Sequence, residues 1–145
     1  MEGNPFAPQK VPSRRRWLEV LRWLCVPFAA WLGDLAGYLL GGTVSRLAVQ
    51  LSLLNPPNQF SERDRAIRYL LWMVPAGILC IVLGAKTAPH WRRTTAVILA
   101  AWWILIQDFI HHFTGPTLYA TLIGGALGLA IVFYFERQGQ AKEGV

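Results

Sequence analysis

Charged residues and cysteines are scarce in this sequence, and both shortages narrow the class of protein. Only 15% of the 145 residues are charged, whereas 54% are hydrophobic and seven are tryptophan. A chain of this length is too short for two soluble domains, and this one is too apolar for an ordinary soluble domain. The two cysteines, Cys25 and Cys80, lie inside apolar runs, so we expect buried thiols and no disulfide framework.

Familiar catalytic and nucleotide-binding motifs are also missing. The sequence has no G-x-S-x-G, H-E-x-x-H or C-x-x-C pattern, and its glycine-rich segments follow helix-packing spacing. The net charge of +6 is compatible with nucleic-acid binding, but the basic residues cluster at the ends of apolar runs, as membrane topology requires. We therefore expect no nucleic-acid partner. The missing motifs also argue against an enzyme.

Four apolar runs predict an all-α, polytopic membrane protein with a four-helix transmembrane bundle. The predicted spans are residues 23–44, 69–85, 94–113 and 117–135. At 1.5 Å per residue such runs match a hydrocarbon core about 30 Å thick, although the second is short. The transmembrane domain occupies residues 14–135, between a disordered cytoplasmic tail of residues 1–13 and a polar cytoplasmic tail of residues 136–145. Pro27 and Pro75 predict kinks in the first two spans.

The segment after the first span predicts a helix in the outer membrane interface. Gly41 and Gly42 are expected to loosen the first helix, and residues 43–54 continue with an amphipathic pattern until Asn55 and the prolines stop it. Ser61 and Asp64 then match the S-x-x-[DE] capping pattern, which predicts the start of the next helix.

The distribution of Lys and Arg predicts that both termini are cytoplasmic. With the N-terminus inside, ten of the basic residues lie on the inner side and four on the outer side. The inner set is Lys10, Arg14, Arg15, Arg16, Arg22, Lys86, Arg92, Arg93, Arg137 and Lys142, and the outer set is Arg46, Arg63, Arg65 and Arg68.

Small residues recur every four positions in the first and last spans. On a helix, such residues form a groove into which a second helix can pack closely in lipid. The first ladder is Ala29, Gly33, Gly37 and Gly41, and the second is Ala120, Gly124 and Gly128. We expect the two ladders to pack on each other, or on a second copy of the chain.

Two groups of polar residues lie within the predicted spans. Asp34 falls near the middle of the first span, where an isolated charge costs about 3 kcal/mol, so its carboxyl should be protonated, paired or hydrated. Gln107, Asp108, His111 and His112 form the most polar end of any span, and Asp108 can reach either imidazole on a helix. These five residues are candidates for a proton or cation site. The alternatives are that Asp34 only fixes helix register and that the other four residues form a hydrated cluster at the end of a helix.

Metal and cofactor sites are not expected. Adjacent His111 and His112 diverge by about 100° on a helix, so one helix presents Asp108 with a single imidazole. Glu62 or Asp64 would have to complete a metal site, and His90, the remaining histidine, lies at the opposite membrane face, which argues against bis-histidine haem.

Three functions remain open from the sequence. The first is a structural, accessory or assembly subunit in a homo-oligomer or larger membrane complex, in contact with the lipid bilayer. The second is a small oligomeric ion, proton or solute transporter or channel that uses Asp34 and the Asp108, His111 and His112 cluster. The third, a lipid-active enzyme at the outer surface, has too few candidate catalytic residues.

Overall fold

The computed structural model describes residues 13–56, 61–111 and 115–143. They form four α-helices: α1 Ser13–Gln50, α2 Glu62–Thr87, α3 Arg92–His111 and α4 Gly115–Glu143. The predicted all-α class is confirmed. Pro27 and Pro75 both lie inside continuous helices, and α4 runs eight residues past the predicted end of its span, into the segment expected as a polar tail.

Three helical segments are long and apolar enough to cross a membrane. They are Arg16–Gln50, Glu62–Thr87 and Gly115–Gly139. The third helix, α3, has 20 residues, and its crossing stays a prediction.

The distribution of side chains is that of a membrane protein. Large apolar side chains such as Trp31, Leu105 and Leu127 are exposed, whereas the buried core is rich in alanine. A water-soluble protein places its large apolar side chains inside, while helices in lipid meet through small residues. The lipid hydrocarbon is thus the environment that suits this surface.

Contacts between helix ends show that the helices alternate in direction. Trp23, near the start of α1, stacks edge-on against His90 between α2 and α3, with ring centroids 5.7 Å apart. At the same end of the bundle, Arg93 at the start of α3 forms an ion pair with Glu136 in α4. We refer to this end as the His90 end.

The second helix, α2, lies at the centre of the bundle. A Cβ atom added at Gly41 of α1 would lie 2.7 Å from the Trp72 Cα of α2, and one added at Gly124 of α4 would lie 2.9 Å from the Met73 carbonyl oxygen. Both small-residue ladders therefore face α2, and the expectation that they face each other was wrong. The reason is that α2 carries its own small residues, such as Gly77, on the side turned to α4.

The first helix continues through Gly41 and Gly42, and no separate interfacial helix follows it in the described residues. It ends at Gln50, where Leu53 N donates to Ala48 O at 2.8 Å and Ser52 N donates to Val49 O at 3.0 Å. These two bonds, with Ser52 at φ 56°, form a Schellman motif. The expected loosening is absent because the α2 backbone packs directly on Gly41.

The capping box predicted at the start of α2 is confirmed. The Ser61 side chain accepts a hydrogen bond from Asp64 N at 3.2 Å, and Ser61 N donates to Asp64 Oδ2. Asn55 Nδ2 donates to the same carboxylate oxygen at 2.8 Å, which ties the end of the α1 segment to the first turn of α2.

The two cysteines are free, and they differ in burial. Cys80 is buried as expected, but Cys25 is exposed. The expectation for Cys25 was wrong because α1 has a neighbouring helix on only part of its surface: Val26 is buried, whereas Cys25 is not.

Candidate functional site

The candidate site is a polar cluster inside the bundle that connects α1 to α3. Asp34 projects from α1 between Gly33 and Gly37, whose backbone lies directly on α2. A Cβ atom at Gly33 would lie 2.6 Å from the Leu79 carbonyl carbon, and one at Gly37 would lie 2.6 Å from the Pro75 carbonyl carbon. This close approach of the two helices brings the Asp34 carboxyl within reach of α3.

Trp103 of α3 donates a hydrogen bond to Asp34. Its indole Nε1 donates to Asp34 Oδ1 at 3.0 Å, and its side chain is only 3% exposed. Indole nitrogen is a donor only and carboxylate oxygen is an acceptor, so the two groups are complementary. The bond joins α1 to α3, and both of these helices also pack on α2.

Two glycines make the space that the Trp103 ring occupies. A Cβ atom at Gly77 of α2 would lie 2.8 Å from the Trp103 Cη2 atom, and one at Gly124 of α4 would lie 3.3 Å from it. The indole therefore lies over the contact between α2 and α4 while its nitrogen points to α1. Small residues at these two positions determine where the donor is held.

A second hydrogen bond lies one helical turn along both helices. Tyr38 of α1 donates from its hydroxyl to Gln107 Oε1 of α3 at 3.0 Å, and its oxygen lies 3.3 Å from the Met73 sulfur of α2. Gln107 is 2% exposed, so its polar group requires a partner inside the bundle. Asp34 with Trp103 and Tyr38 with Gln107 form two parallel polar contacts, which we call the α1–α3 clamp.

The structure brings together two of the five predicted site residues. Asp34 and Gln107 both belong to the α1–α3 clamp. Asp108 and His111 follow in the last turn of α3, where the structure describes the backbone alone, and His112 lies outside the described residues. The proposed contact of Asp108 with an imidazole therefore stays a prediction.

Sequence reasoning missed Trp103 and Tyr38. A signal for them was present: Asp34 and Tyr38 are four residues apart, and so are Trp103 and Gln107. Residues four apart lie on the same helix face, so each helix carries a pair of polar groups with the same spacing. The two pairs were not matched from the sequence.

The clamp consists of side-chain hydrogen bonds between α1 and α3. It contains a carboxyl, an indole, a phenol and an amide, and no nucleophile is paired with a base in it. In the part of the chain that the structure describes, no three His, Cys, Asp or Glu side chains come close enough to hold a metal ion.

Four surface clefts lie away from Asp34. They have volumes of about 300, 400, 340 and 530 Å³ and are lined by residues near the helix ends or along the bundle surface, and Asp34 lines none of the four. Searches against protein-family models, curated proteins and solved structures found no match to this chain. Its function must therefore be argued from the geometry.

Proposed function

We propose that the protein crosses the membrane four times, with both termini in the cytoplasm. Three helices with the required length and apolarity support this, as does the alternating direction of all four. The outer surface of α3 adds support, because Ile98, Trp102 and Leu105 are each more than 60% exposed. The excess of basic residues at the His90 end supports this orientation, since cytoplasmic loops carry more Lys and Arg.

Within that membrane domain, we propose a structural or accessory role. The observation that carries this proposal is the α1–α3 clamp, in which Asp34 and Gln107 each bond to a residue of another helix of the same chain. Polar side chains in lipid serve as helix connectors when they pair in this way. The small-residue ladders support the same role, because their glycines face α2 at backbone contact distance.

The partner in this proposal is a second copy of the chain or a larger membrane complex. Since both ladders lie against α2, an assembly contact would use the outward surfaces of the bundle. The exposed face of α1, with Trp31, Leu35 and Leu39, is one such surface. Lipid would cover the remaining outer surface.

The second candidate function is transport of an ion, a proton or a small solute. One observation favours it: Asp34, Tyr38 and Gln107 follow one another along one direction in the bundle, and Asp108 and His111 come next in the α3 sequence. A row of polar residues within spans is a frequent feature of proton and ion pathways. Transport would require hydration of this row, and Asp34 is only partly buried.

A flux measurement combined with particle sizing separates the two functions. The full chain and its Asp34→Asn variant are reconstituted in liposomes with a pH gradient, with Glu62→Gln, an exposed acid outside the clamp, as the matched control. The structural proposal predicts that all three give the leak of protein-free liposomes, and that the protein purifies in mild detergent as an oligomer or in a larger complex. Flux that is lost only in Asp34→Asn would overturn the structural proposal in favour of transport. A protein that purifies as a monomer without partners would also overturn it.

A further inference from the structure

Two clefts at the His90 end meet and together form an amphipathic site. The first, about 400 Å³, lies between α1 and α3 and is walled by apolar groups of Trp23, Val26, Pro27, Ile98 and Leu99. The second, about 530 Å³, is lined by Arg92, Arg93 and Glu136. Trp91 and Thr94 line both clefts, so the apolar groove and the charged cleft are adjacent.

The groove exists because α1 and α3 do not pack closely on each other near the His90 end. Both helices lie against α2, and the α1–α3 clamp joins them further along the bundle. From Thr94 to Leu99 the groove follows α3 over five residue rises, which is about 7.5 Å. Inside it, the Thr95 hydroxyl donates to Trp91 O at 3.1 Å, so the groove wall offers little free hydrogen-bonding capacity.

The mouth of the groove is positively charged. Arg93 is neutralised by its ion pair with Glu136, and its guanidinium also lies 5.6 Å from the centre of the Phe133 ring. Arg92 forms no hydrogen bond or ion pair with any residue that the structure describes, and it lines the clefts on both sides of the ion pair. Lys86 lies beside the neighbouring cleft and adds a further positive charge.

We propose that this site binds an anionic phospholipid, with the phosphate at Arg92 and one acyl chain along the groove between α1 and α3. Charge complementarity selects the anionic headgroup, and the apolar walls select the chain. Exposed Trp91 and Trp23 lie where the groove opens, which is the depth that tryptophan prefers at the boundary between headgroups and hydrocarbon. Basic pockets between helices on the cytoplasmic side are suited to such headgroups. This proposal rests on the proposed location of the protein in a membrane. It does not rest on the proposed structural or accessory role.

Native mass spectrometry of the full chain in detergent tests the site. The probes are dioleoyl-phosphatidylglycerol, which is anionic, and dioleoyl-phosphatidylcholine, which is zwitterionic and has the same chains. Arg92→Gln removes the free cation at the mouth, and Arg65→Gln removes an exposed cation at the opposite end of the bundle. Thr94→Trp fills the junction of the two clefts without a change in charge.

The proposal predicts that the wild-type protein prefers phosphatidylglycerol. Arg92→Gln is expected to weaken phosphatidylglycerol binding about fivefold, because one basic residue near a membrane surface contributes about that factor. Phosphatidylcholine binding should weaken less, because its choline cation offsets the attraction of its phosphate to Arg92. Arg65→Gln should have no effect, and Thr94→Trp should weaken both lipids. Equal affinity of the wild type for the two lipids would overturn the proposal. Equal losses in the two arginine variants, or unchanged binding in Thr94→Trp, would also contradict it.

Discussion

Replacing Gly37 with alanine tests whether α1 is held on α2 by direct backbone contact. A Cβ atom at this position would lie 2.6 Å from the Pro75 carbonyl carbon and would collide with the Ala76 backbone. Ordinary contacts of this kind begin near 3.4 Å, so the two helices would have to separate by about 1 Å. Neither obstacle is the flexible end of a side chain, so the strain cannot be relieved by a rotamer change.

The expected cost follows from this overpacking. Extra methyl groups in a well-packed contact typically destabilise a protein by about 1–3 kcal/mol. Gly42→Ala is the matched control, because it adds the same methyl group to the same helix where no atom lies within 4 Å. Alanine favours helix over glycine by up to about 1 kcal/mol in water, so the control should be neutral or slightly stabilised.

The assay is the free energy of unfolding of the protein in mixed micelles, measured by titration with sodium dodecyl sulfate and followed by tryptophan fluorescence. The account predicts that Gly37→Ala unfolds at a lower detergent fraction than the wild type, whereas Gly42→Ala does not. If the two variants were equally stable, close packing of α1 on α2 at Gly37 would be refuted.

The remaining predictions concern the hydrogen bonds of the bundle, and the free energy of unfolding is measured by the same titration. Trp103→Phe removes the indole donor to Asp34 and should lower the free energy of unfolding by about 1 kcal/mol, whereas Trp102→Phe, at an exposed position, should change it little. Equal losses of stability in the two variants would argue against the bond. Tyr38→Phe removes the donor to Gln107 and should cost about 0.6 kcal/mol, and a gain in stability would contradict that contact. Asp64→Ala breaks the capping box of α2 and should cost about 1 kcal/mol, with Glu62→Ala as the exposed control in the same turn.

The presence of the helices and the start of α2 were predictable from local signals. Apolar runs and the spacing of Ser61 and Asp64 are properties of neighbouring residues, and the structure has α2 begin where the capping pattern places it. The end of α1 was not predictable in this way. Gly41 and Gly42 have weak helix propensity, but contact with α2 keeps the helix intact there, so packing between helices outweighs the local preference.

The partners of the candidate site depended on the arrangement of the helices, which the sequence does not encode locally. Asp34 was identifiable as an acid inside a span, yet its bond to Trp103 requires α1 and α3 to lie on the same side of α2. Small residues at Gly77 and Gly124 make room for that ring, and their spacing gives no indication of which side chain fills it. The small residues of both ladders were identifiable from the sequence. They pack on α2 because α2 itself contributes glycines and alanines to the contact.

The sidedness of the helix ends tests the central claim, a bundle that crosses the membrane four times, most directly. Single cysteines are introduced into a cysteine-free chain at Glu19, Glu62, His90, Gly115 and Gln138, all at exposed positions near successive helix ends. A thiol reagent that cannot cross membranes is then applied to intact and permeabilised cells. The account predicts labelling of Glu62→Cys and Gly115→Cys in intact cells, and of the other three only after permeabilisation. Labelling of His90→Cys and Gly115→Cys from the same side would show that α3 does not cross, and would contradict the four-crossing bundle.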